Sequence, residues 1–107
     1  MKKIINGKVY DTETAVSLGS FYAGYSGDLN HREEELFRTP KGAYFIDGGG
    51  HSYWSGRDIW KDEDDNGEAY ERWGVIAITE EEALSWMERH GETDVIEEYF
   101  SHLLKEA

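Results

Sequence analysis

Cysteine is absent from this chain of 107 residues, and proline occurs once. Without cysteine there is no disulfide framework, no thiolate nucleophile and no Cys-based zinc site, so stability must come from packing. That suits a reducing cytoplasm. Long apolar runs are missing too. The N-terminus offers only Ile4-Ile5, and no stretch reads as a signal peptide or membrane span. Basic residues are few: eleven Lys and Arg stand against twenty-three Asp and Glu, for a net charge of −12. Aromatic residues are plentiful at 14%, including four Trp, which implies a folded core and not a disordered tail. The length fits one domain spanning 1–107.

The charge is unevenly placed. Residues 1–30 are balanced, residues 31–60 carry −1, and residues 61–107 carry −11. Such a field repels nucleic acid and anionic membranes and attracts basic surfaces, so direct DNA or RNA binding is not expected.

Local patterns point to an α+β fold: a small antiparallel sheet of two hairpins plus a further strand, packed by about three helices. Asn6-Gly7 between Lys2–Ile5 and Lys8–Tyr10 predicts the first hairpin. Asp11 or Thr12 is expected to cap a helix carrying Ala15, Val16 and Leu18, with Gly19–Gly27 as its end and a loop. Thr39-Pro40-Lys41-Gly42 predicts the turn of a second hairpin, between His31–Arg38 and Ala43–Asp47. Glu34, Leu36 and Arg38 would share one face and Glu33, Glu35 and Phe37 the other, one of the two being solvated. Residues 48–74 form the least regular stretch, with the triple glycine Gly48–Gly50 read as a flexible loop. Trp73–Ile78 reads as a buried strand, and Thr79 with Glu82 has capping-box spacing for a helix with Ala83, Leu84 and Met87 inside and Trp86 at its edge. Gly91 is a helix stop. From Thr93 or Asp94 a last helix carries Val95, Ile96, Tyr99, Phe100, Leu103 and Leu104 as one apolar stripe, which closes the core or forms a dimer.

No motif announces chemistry. Asp62-Glu63-Asp64-Asp65-Asn66-Gly67 matches the first half of a calcium loop, but its twelfth position is Trp73 instead of a bidentate Glu. An acidic turn explains it as well. Gly24-Tyr25-Ser26-Gly27 is one residue short of a nucleophile elbow. His31, His51, His90 and His102 show no metal-ligand spacing and are expected at the surface. No catalytic residue, metal or cofactor is assigned. A small metal-dependent hydrolase would need His51 in a deep pocket with carboxylates.

Glu80, Glu81, Glu82 and Asp94 have a structural reason to exist at helix starts. Asp62, Glu63, Asp64, Asp65, Glu68, Glu71, Glu88, Glu92, Glu97, Glu98 and Glu106 exceed that need. Either they solubilise the surface, or they form a docking face for a basic groove that normally holds nucleic acid. Trp54 and Trp60, beside the acidic run, are candidate interface anchors.

Ile5-Asn6-Gly7-Lys8-Val9-Tyr10-Asp11-Thr12-Glu13-Thr14-Ala15 resembles the start of small proteins of bacterial phages and mobile elements. The Glu34–Arg38 segment, the Gly-rich loop and Ile78-Thr79-Glu80-Glu81-Glu82-Ala83 fit that pattern loosely. The resemblance implies a protein of the anti-CRISPR group, acting on a CRISPR effector such as Cas9 or a Cascade-type complex as monomer or homodimer. The matching positions are turn and cap residues, so no inhibitory residue transfers. An acidic host-interaction or antirestriction-like accessory protein is the alternative.

Overall fold

The computed structural model describes residues 1–24, 31–51 and 71–107, with backbone alone for His51, Glu71, Arg72 and Trp73. Strands β1 (Lys2–Ile5) and β2 (Lys8–Asp11) form an antiparallel hairpin. Asn6 (φ 51°) and Gly7 (φ 76°) make its turn, since two successive positive φ angles match the twist of the flanking strands.

Strands β3 (Val16–Ala23), β4 (Arg32–Arg38), β5 (Tyr44–His51) and β6 (Glu71–Ile78) build a four-stranded antiparallel sheet in sequence order. The β4–β5 turn is closed by Thr39, whose N–H donates to Ala43 O at 2.8 Å while its Oγ1 accepts the Ala43 N–H at 3.0 Å. Gly42 takes the left-handed conformation there, at φ 91°.

The helix expected from Asp11 or Thr12 is absent. Asp11 O accepts the N–H groups of Thr14 and Ala15, and Asp11 Oδ1 accepts that of Glu13, which makes one turn only. Val16, Ser17, Gly19 and Ser20 are all poor helix formers, and the chain runs on as β3. Gly19–Ala23, expected in a loop, is strand as well. A bulge between Ser17 and Gly19 adds a residue, so Ser17, Ser20 and Tyr22 share one face. That extra residue is why the alternation is hidden in the sequence. The triple glycine is also strand, at the end of β5.

Helix α1 (Glu80–His90) begins with the expected capping box: Thr79 Oγ1 accepts the Glu82 N–H at 3.1 Å, and Glu82 Oε1 accepts the Thr79 N–H at 2.8 Å. Gly91 closes it, donating to Met87 O. Helix α2 (Thr93–Phe100) runs into a 3₁₀ turn, Ser101–Leu103. Two α-helices, not about three, are therefore present among the described residues.

Both helices pack on one face of the sheet. Leu18, Leu36, Tyr44 and Ile46 meet Ala83, Trp86, Met87 and Phe100. Trp86, expected at the helix edge, is instead fully buried. Val95, Ile96, Tyr99 and Leu103 pack against this core, so most of the α2 stripe closes it; Leu104 is exposed. On the other face Phe37, Phe45 and Val75 are covered by Tyr10 and Ile5 of the β1–β2 hairpin. Both faces of β4 are thus apolar at Leu36-Phe37, against the expectation of one solvated side.

Candidate binding surfaces

The acidic residues singled out in the sequence fall into two groups. Glu88, Glu92, Glu97 and Glu98 lie on or beside the helices and are exposed, as are Glu81, Glu82 and Asp94. The amphipathic pattern dictates this: with the apolar stripe turned to the sheet, the carboxylates face solvent. Glu80 is held differently, against His102 Nε2 at 2.8 Å. Trp54, Trp60, Asp62, Glu63, Asp64, Asp65 and Glu68 lie outside the described residues. Glu71 is placed by its backbone, paired with His51 across β5 and β6.

A second acidic surface is visible only in the fold. On the sheet face away from the helices, β4 and β5 present Glu33, Glu35 and Asp47. Pairing sets Ser20 beside Glu35, Tyr22 beside Glu33, and Glu35 beside Asp47. With Phe21, Glu34 and Gly48 they line an open groove of about 420 Å³. Ser17 Oγ donates to Glu35 Oε2 at 2.6 Å. Burial raises the Asp47 carboxyl above its ordinary value, the N-terminal ammonium opposes this, and Glu35 adds to the rise.

The Asp47 shift has a consequence for stability. A carboxyl that binds its proton more tightly when folded destabilises the fold once ionised, so the penalty is complete above the folded-state pKa. It disappears as pH falls below the ordinary carboxylate value. Asp47→Asn should therefore raise stability near neutral pH by a few tenths of a kcal/mol, given the partial exposure of the group. Urea melts at neutral pH and at about pH 3, below the ordinary Asp value, would check it. A gain that persists undiminished in acid would contradict this origin.

The helix side of β4 carries the opposite arrangement, charges taken out of water. Arg32 is 1% and Glu34 2% exposed. Arg32 Nη1 donates to Glu34 Oε2 at 3.0 Å, and Trp86 Nε1 donates to Glu34 Oε1 at 2.8 Å. Burial lowers the Arg32 pKa, and the neighbouring Glu34 charge partly offsets this.

Of the histidines expected at the surface, His31 is buried at 6% exposure and its ring lies 5.4 Å from that of Tyr22. His90 stacks on Phe21 at 4.0 Å. The described residues contain no group of three or more His, Asp or Glu arranged to hold a metal ion.

No family model, curated protein or solved structure matches the chain. The surfaces themselves must carry the reading. Exposed carboxylates on rigid helices bind cationic groups through long-range attraction and rim contacts; they do not by themselves drive bond making or breaking. None of the described helices is long and apolar enough to cross a membrane. Glu33, Glu35, Asp47, Ser20 and Tyr22 were not singled out in the sequence, because the bulge in β3 and the placement of the hairpin decide which strand face stays open.

Proposed function

We propose that this protein is a cytoplasmic inhibitor that binds a protein partner and performs no catalysis. Its helical carboxylates dock on a basic, nucleic-acid-binding surface of a CRISPR effector and compete with DNA or guide RNA. One observation carries the reading: Glu88, Glu92, Glu97 and Glu98 all project from or beside two packed helices into solvent. Only Arg89 and Lys105 supply cations along residues 80–107. A fixed array of like charges on a rigid support is suited to a cationic channel, because the attraction acts before contact and sets orientation. The resemblance of Ile5–Ala15 to phage and mobile-element proteins supplies the class of partner.

Purified protein added to Cas9 with its guide, and to a Cascade-type complex, should reduce DNA binding and cleavage by at least one of them. Replacing Glu88, Glu92, Glu97 and Glu98 together with Gln should weaken that inhibition about tenfold or more, comparably to raised salt. Undiminished inhibition by the variant would show that these carboxylates only solvate the surface. If no effector responds, the CRISPR assignment is wrong, and a pull-down that yields a different host protein would favour the antirestriction-like alternative.

A further inference from the structure

The turn between β1 and β2 needs a positive φ at both of its residues, and Asn6 (51°) followed by Gly7 (76°) supplies them. The same dipeptide meets the needs of a reaction. The carboxamide carbon of an asparagine is open to attack by the backbone nitrogen of the next residue, and glycine, with no side chain, leaves that nitrogen unshielded. A Cβ added to Gly7 would meet nothing within 4 Å. Both residues are exposed, and among the described residues no hydrogen bond engages the Asn6 carboxamide. The surrounding charge favours the step as well. Residues 1–10 hold Lys2, Lys3 and Lys8 and no acidic residue, and cations stabilise the amide anion that attacks.

We infer that Asn6 is a site of covalent self-modification, the deamidation of its side chain through a cyclic imide formed with Gly7. The Gly7 nitrogen gives its proton to solvent base and bonds to Asn6 Cγ; the Cγ–Nδ2 bond breaks, and the nitrogen leaves as ammonia. Water then adds to one of the two ring carbonyl carbons and opens the ring. Addition at Cγ gives aspartate. Addition at the backbone carbonyl carbon gives isoaspartate, in which the main chain runs through Cγ. Water is the one co-reactant, and nothing is oxidised or reduced.

The fold sets both the pace and the outcome. Ring closure requires the Gly7 nitrogen to swing toward Asn6 Cγ, which the closed turn resists while Ile5 pairs with Lys8 on either side of it. The reaction therefore runs through opened turns, and its rate in the folded protein follows how often the turn opens. Aspartate preserves the hairpin, since Asp-Gly suits the same pair of positive φ angles. Isoaspartate does not, because it lengthens the main chain inside a loop whose length fixes the register of β1 against β2. The hairpin is held on the sheet by Lys3 Nζ, which donates to Val75 O at 3.3 Å, and by Tyr10, whose ring stands edge-on to Phe45 at 5.6 Å. A mispaired hairpin uncovers Phe37, Phe45 and Val75. None of this depends on what Glu88 to Glu98 bind.

The test is to age the purified protein at mildly alkaline pH and follow each peptide by mass spectrometry, with chromatography to separate aspartyl from isoaspartyl forms. Peptide mapping is needed because Asn66-Gly67, outside the described residues, is a second such dipeptide. Asn6 should convert at least about tenfold more slowly than in a synthetic peptide spanning Lys2–Tyr10, and urea below the unfolding range should narrow that difference. Isoaspartyl protein should exchange its β1 and β2 amides at least about tenfold faster than the unmodified and aspartyl forms. Asn6→Gly, which keeps a turn-competent pair, should hold its amide protection through the same ageing. Absence of conversion at Asn6 while the peptide reacts would overturn the site. Conversion as fast as in the peptide would overturn control by the turn, and unchanged exchange in the isoaspartyl form would overturn the loss of the hairpin.

Discussion

Glu34→Ala should cost the domain about 3–5 kcal/mol, the range found when one partner of a buried ion pair is deleted. Glu34 neutralises the Arg32 guanidinium, which is 1% exposed, and also accepts the Trp86 indole N–H at 2.8 Å. Its removal takes from the buried guanidinium the carboxylate that it donates to, and from the indole N–H its acceptor. Domains of this size are held by about 5–15 kcal/mol in total, so the variant should be marginal or unfolded at room temperature. Glu34→Gln separates the two contributions. It keeps an acceptor for Trp86 while deleting the charge, and should fall between wild type and Glu34→Ala. Replacing Arg32 and Glu34 together by Met and Leu should recover part of the loss, since the two buried charges are then removed together. Urea denaturation with an unchanged m-value is the measurement. A cost below about 1 kcal/mol for Glu34→Ala would show that the pair is hydrated in solution.

Gly48→Ala should be nearly as damaging, for a steric reason. Gly48 sits in β5 at φ 152°, a conformation that L-residues rarely adopt, opposite Glu34 on β4. A Cβ there would fall onto the Glu33 carbonyl oxygen and within 2.9 Å of Glu34 Cα. Neither neighbour is the yielding end of a side chain, so the two central strands must move apart where the Arg32–Glu34 pair is seated. Strained backbone costs about 1–3 kcal/mol, and the overlap adds to it, for an expected total of about 3 kcal/mol or more. Gly74→Ala is the matched control. Gly74 lies at φ 151° in the adjoining strand, but nothing described lies within 4 Å of the added carbon. The difference between the two melting curves isolates the overlap, and equal losses would assign the whole effect to backbone conformation.

What could be read in the sequence is what is decided locally. Asn6-Gly7, Thr39–Gly42, the Thr79–Glu82 box and Gly91 sit where expected, because turn and cap chemistry needs only neighbours in the chain. Strand β6 and the exposed carboxylates of α1 and α2 follow from periodicity for the same reason. The failures share the opposite cause. One inserted residue in β3 turns an alternating strand into a pattern without period, so that a helix through Leu18 and a loop from Gly19 are expected in its place. Five of the seven residues of β4 are charged, and nothing local tells which are buried. That is settled by an indole fifty-two positions away. Gly48–Gly50 reads as a flexible run until a facing strand is brought close enough to forbid a Cβ. The candidate surfaces divide likewise, the helical one legible beforehand and the sheet-face one requiring the hairpin's position.

The buried pair on β4 also resolves an ambiguity that hydrophobicity leaves open. Glu33, Glu34 and Glu35 are chemically identical, and Leu36-Phe37 offers an apolar residue to either face, so a slip by one position would still bury one large side chain on each side. What such a slip cannot reproduce is a carboxylate beneath Trp86 with a guanidinium two residues before it on the same face. The ion pair thus works as an address, naming one alignment among near-equivalents at some expense in stability. Mispaired forms of this strand would betray themselves by an indole without a partner.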